Sequence, residues 1–111
     1  MNLDNLTIGE AREISRVLTG TPTDNGPWEI GKAYFVRTVT NYLTGRLVSV
    51  GNQELVFSDA AWIPWTGRFN EALTSGSFAE VEPFPAGRVI VGRGSIVDAI
   101  VWGISLPRSA R

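Results

Sequence analysis

From Lys32 onward the chain is a series of short runs rich in Tyr, Phe, Val, Ile and Thr, each broken by a turn that carries glycine or proline. Such residues suit a pleated, half-buried surface. Runs joined this tightly pair antiparallel, because a parallel crossover needs a dozen or more connecting residues. The first run is 32–41 (KAYFVRTVTN), with Phe35, Arg37, Val39 and Asn41 on one face and Tyr34, Val36, Thr38 and Thr40 on the other. A turn at Thr44 and Gly45 leads to a second strand over 46–50. Gly51-Asn52 reads as a two-residue hairpin of the II′ kind. The third strand covers 53–63, bends near Asp59 and stops at Pro64. Two apolar runs, 88–91 and 95–102, flank Gly92-Arg93-Gly94, which reads as a tight hairpin.

Helical signals stand outside this β region. Thr7 and Glu10 form a capping box, with Leu6 and Ala11 at the staple positions. Ala11, Ile14, Val17 and Leu18 then recur at helical spacing, predicting a helix over 8–19 that Gly20 ends. Its one apolar face must lie on something else. Residues 21–27 (TPTDNGP) are turn chemistry. A second, short helix is predicted within 66–76, with Phe69, Ala72 and Leu73 inward and Gly76 at its end. Residues 77–85 are irregular, with a short strand at 78–81, and the tail 106–111 is polar and interrupted by proline. The expected fold is a single, mainly β domain over 1–111. Short antiparallel strands with glycine-marked turns favour a small closed barrel or a sandwich, with an N-terminal helix (1–20), strands at 32–63 and 87–102, and a helical insertion at 64–86. A barrel this small leaves strand edges for pairing between copies, so a homo-oligomer is expected.

Composition narrows the chemistry. The 111 residues contain no cysteine and no histidine, which removes thiolate ligands, disulfides and the commonest general base. A formal charge of -1 gives no broad basic field for nonspecific nucleic-acid or membrane binding. No stretch has the apolar length of a membrane span, and the N-terminus lacks the basic and apolar regions of a signal peptide, so synthesis in the cytoplasm is expected. The acidic residues are scattered; Glu80 and Glu82 share a strand face but read as a solvated edge. Asp59 and Glu54 would point to opposite faces of a regular strand. Lys32, the lone lysine, has no nucleophile motif around it. No catalytic, metal or cofactor site is therefore expected.

The order of helix, strands, insertion and a closing strand pair around Arg93-Gly94 resembles the Sm-like family. Gly45-Arg46-Leu47 and 54–60 (ELVFSDA) stand for the first half of its motif, and 87–97 (GRVIVGRGSIV) for the second. The resemblance covers 32–102 and implies a mainly β fold, a small Sm-like or SH3-like antiparallel barrel with an N-terminal helix and a short helical insertion. It implies a ring whose pore is lined by Asn52 and Arg93, with Gly94 beside them, holding RNA bases or a small nucleotide. The acidic residue usual near the first hairpin tip is replaced here by Gly51 and Asn52, and no aromatic stacking residue stands beside Asn52.

Residues 31–40 (GKAYFVRTVT), Thr44-Gly45-Arg46-Leu47 and 59–63 (DAAWI) also look like small proteins of tailed phages and prophages. Of the four tryptophans, Trp62 and Trp102 are expected in a core or subunit interface, and Trp28 and Trp65, beside prolines, as exposed anchors. Arg37 and Arg46 are further interface anchors, expected to pair with Asp59 or Glu54. The expected function is a non-enzymatic, self-assembling phage structural protein, located in the virion as a capsid decoration or ring component. Its partners would be itself and other virion proteins. A free Sm-like ring that binds RNA or sequesters a small nucleotide is the alternative.

Overall fold

The computed structural model describes residues 26–85 and 87–111. The helix expected at 8–19, with its capping box, lies outside the described residues. The strands are β1 (Ala33–Thr38), β2 (Tyr42–Val50), β3 (Glu54–Trp65), β4 (Glu80–Pro83), β5 (Arg88–Gly92) and β6 (Ile96–Val101). One helix, α1 (Phe69–Ser75), precedes β4, and a single 3-10 turn (Arg93–Ser95) joins β5 to β6. The described part is mainly β and forms one antiparallel sheet in the order β4-β3-β2-β1-β6, with β5 also on β3. The sheet does not close.

Alternation along β1 shows how the sheet is buried on both faces. Ala33 and Phe35 point to one cluster, with Ala61, Ile63, Ala72, Phe78, Val81 and Trp102. Tyr34 and Val36 point to the other, with Leu43, Leu47, Leu55, Phe57, Ala60 and Val91. The predicted insertion builds the first cluster. Its Phe78 stacks on both Phe35 and Trp102, with ring centroids 5.6 and 5.3 Å away, and those two rings also meet at 5.9 Å. α1 ends as expected at Gly76, whose φ of 78° places it in the left-handed region and whose N–H donates to the Ala72 carbonyl at 2.8 Å. The tail is also tied down: Arg111 and Val81 exchange both backbone hydrogen bonds, at 2.9 and 3.2 Å, so the chain end covers the outer edge of β4.

Two expected turns differ. Gly45 is not in a turn; it lies inside β2, opposite a bulge of β3. Pairing passes from Arg46↔Ser58 to Thr44↔Ala61, so Asp59 and Ala60 together face Gly45. Asp59 takes a φ of 50°, which bends the strand as expected and keeps Ala60 on the same face as Leu55 and Phe57. A Cβ on Gly45 would lie 2.9 Å from the Phe57 Cβ, so close packing is what selects glycine there. The first turn instead spans 39–41, where Thr38 accepts from the backbone N–H of Asn41 at 3.1 Å. β1 therefore ends before Val39 and Asn41, which leave the expected strand face.

The Gly51-Asn52 turn is not of the II′ kind, because neither residue has positive φ. A second register shift, at Val48, sets Val50 opposite Leu55 and leaves a four-residue loop, closed by Gly51 N–H to the Glu54 carbonyl at 2.7 Å. Gly92-Arg93-Gly94 is not a hairpin either: β5 pairs with β3, β6 pairs with β1, and the 3-10 turn carries the chain between them. β3 runs on through Pro64 because Ile63 and Pro64 together face Val81, a bulge where the missing N–H is not needed. The strand expected at 78–81 is displaced to Glu80–Pro83, and Phe78 serves the core instead.

Candidate functional site

Residues far apart in sequence meet where the β2–β3 turn touches the 3-10 turn. The Arg93 backbone N–H donates to the Gln53 carbonyl at 2.9 Å, and its guanidinium donates to the Gly51 carbonyl at 2.7 Å. The structure thus brings Arg93 beside the Asn52 turn, with Asn52 and Gly94 exposed and Arg93 half-buried. One guanidinium N–H ties the turns together, while the Asn52 carboxamide faces solvent. This corner brings together Asn52 and Arg93, the two residues the Sm-like resemblance names.

The other predicted anchors fare differently. Arg37 sits opposite Asp98 of β6, not beside Asp59 or Glu54. Its Nε donates to Asp98 Oδ1 at 2.7 Å, its Nη2 bonds Oδ2, and its guanidinium lies 5.2 Å from the centre of the Phe69 ring. The hydrogen bond to Asp98 raises the Arg37 pKa, and the same bond holds the Asp98 carboxyl below the usual aspartate range. Arg37 therefore joins β1, β6 and α1 within the chain. Arg46 is exposed, but its Nη1 donates to the Gly31 carbonyl at 2.9 Å rather than to a carboxylate. Trp28 is half-buried, set edge-to-face on Tyr34 at 5.0 Å, so it is not the free anchor its neighbouring proline suggested. Trp65 is exposed as expected. Trp62 is exposed as well, and so does not fill the core, whereas Trp102 does. Among the described residues no three carboxylates converge on a metal position.

Two strand edges remain open among the described residues. β5 pairs only with β3, and β6 only with β1. Large apolar side chains crowd them: Ile90 is 71% exposed, Val97 60% and Val101 52%. The Trp102 backbone N–H donates to the Ala33 carbonyl of β1 at 2.7 Å. The Val101 N–H, one residue back, consequently points to the open side. Beside this edge lies an apolar recess of about 450 Å³, lined by Trp28, Tyr34, Ile96, Val97, Ala99 and Val101 among others.

No family model, curated protein or solved structure matches this chain.

Sequence reading missed these edge residues because β6, IVDAIV, is apolar at every position but Asp98, which reads as burial on both faces. It also missed Trp62. The signal was present: two tryptophans three apart with Pro64 between them predict a bulge, without which they would face opposite ways.

Proposed function

We propose that this chain is a non-enzymatic, self-assembling structural protein of a tailed-phage particle, a capsid decoration or ring component. The observation that carries the reading is the pair of open, apolar edges on β5 and β6. Among the described residues, Ile90, Val97 and Val101 stand exposed on strand edges that no other strand pairs, an arrangement that favours pairing with a second chain. A second copy that docks β5 along β6 satisfies both edges, and repetition of that head-to-tail contact makes a ring. The strand path supports an Sm-like or SH3-like barrel: a β1-β2-β3 meander, with β5 on β3 and β6 on β1 across a 3-10 turn. The phage origin rests on the sequence resemblance described above.

Native mass spectrometry of the untagged full chain is the test. The protein should be a defined oligomer, and Val101→Lys should return it to monomer with unchanged far-ultraviolet circular dichroism. A wild-type monomer defeats the assembly reading. Absence of the chain from purified particles defeats the virion assignment.

The contact between Arg93 and the Asn52 turn favours a second reading, a free ring that binds RNA or a small nucleotide. Protein purified in that case should carry an ultraviolet-absorbing ligand that Arg93→Ala loses. Retention of the ligand by that variant rules out the pore assignment.

A further inference from the structure

A groove distinct from the edges and from the Arg93 corner lies between the β1–β2 turn and the end of β3. It is an open recess of about 490 Å³, within the range of roughly 300–1,000 Å³ common for small-ligand clefts. Trp62 and Trp65 form one side, and Thr38, Thr40 and Asn41 of the turn contribute the other. On a regular strand the two indoles would point to opposite faces. The bulge at Ile63 and Pro64 moves Trp65 onto the Trp62 side, so the indoles stand 43% and 59% exposed in one groove while Ile63 stays buried.

We propose that this groove binds a neutral saccharide. The C–H faces of a sugar ring carry slight positive charge and stack on the electron-rich face of an indole. Its hydroxyls need donors and acceptors to the side, which the Thr40 hydroxyl and the Asn41 carboxamide supply, the Thr38 hydroxyl being engaged within the turn by Thr40 and Asn41. Asn41 accepts from Thr38 at 2.9 Å through its side-chain oxygen, and its amide N–H₂ has no partner among the described residues. No charged side chain lines the groove. Just beyond it, Glu82 stands opposite Trp62 and Glu80 opposite Trp65, and neither carboxylate has a salt-bridge partner among the described residues. Directly opposed strand residues have Cβ atoms about 5 Å apart. Two carboxylates that near repel phosphates, so an oligonucleotide stacked on these tryptophans is disfavoured. Neither glutamate lines the recess, so a cation seated in it gains no direct ion pair.

Indole fluorescence of the full chain, titrated with neutral cello-, chito- and malto-oligosaccharides, tests the proposal. At least one series should give a saturable change in emission. Trp65→Ala and Trp62→Ala should each weaken binding about tenfold or more, the loss expected of one aromatic stacking platform, while Arg88→Ala on β5 leaves it unchanged. Circular dichroism establishes that the variants fold, and Trp65, the more exposed indole, is the substitution least coupled to the core. The proposal fails if no neutral oligosaccharide binds. It fails equally if binding survives both tryptophan substitutions, or if only an oligonucleotide or a basic peptide responds. Oligomeric state is read separately, so this outcome and that of the assembly reading are independent.

Discussion

Replacing Gly45 by alanine tests the packing that fixes the central bend of the sheet. The new Cβ would lie 2.9 Å from the Phe57 Cβ and 3.3 Å from both the Phe57 Cγ and the Ala60 Cβ. These are atoms at or next to the backbone of two buried residues, Phe57 at 0% and Ala60 at 2% exposure, so no flexible side-chain end can swing away. Relief requires β2 and β3 to separate at the bulge. Overpacking of this kind costs roughly 1–3 kcal/mol, and the stiffer unfolded chain of an alanine variant returns about 0.4–1 kcal/mol. Mid-range values leave a net loss of about 1–1.5 kcal/mol. For a domain near this size that lowers Tm by roughly 5–10 °C. Scanning calorimetry with urea unfolding measures it. Gly92→Ala is the internal control: its φ is -67° and a Cβ there meets nothing, so it should be neutral or slightly stabilising. A Gly45→Ala protein as stable as the parent refutes the claim that close approach, rather than turn formation, places glycine at 45.

Asp59, at φ 50°, should tolerate glycine within about 0.5 kcal/mol, whereas Asp59→Val should cost about 1–2 kcal/mol, because a β-branched residue is penalised in the left-handed region; equal urea midpoints for the two variants would contradict the strain assigned to the bulge. The bond from Arg37 depresses the Asp98 pKa, so its stabilisation is complete above the ordinary aspartate range and is lost as pH falls through the lower, folded-state value. The stability gap between the parent and Asp98→Asn should therefore be level above about pH 5 and shrink toward pH 2, as followed by urea unfolding across that range. The pair is partly exposed, so added salt should narrow the gap as well; a gap that grows in acid refutes the assignment.

Local chemistry decided much of this protein. The β-rich runs from Lys32, the bend at Asp59, the α1 stop at Gly76 and the burial of Trp102 are legible because each depends on a residue's own conformational preference or on patterning within a few neighbours. Register lay beyond the sequence. Bulges at Val48, at Asp59 with Ala60, and at Ile63 with Pro64 each shift pairing by one residue, and every shift reassigns which side chains are buried. That is why Gly45 reads as a turn yet packs against Phe57, and why Trp62, which reads as core or subunit interface, is not in the core but lines a groove with Trp65. The partners of charged residues were hidden for a related reason: Arg37 meets Asp98 and Arg93 meets Gly51 across 61 and 42 residues of chain, and only the sheet topology brings such positions together. Composition set what kind of surface the strands could form; the pairing of distant strands chose which residues that surface presents.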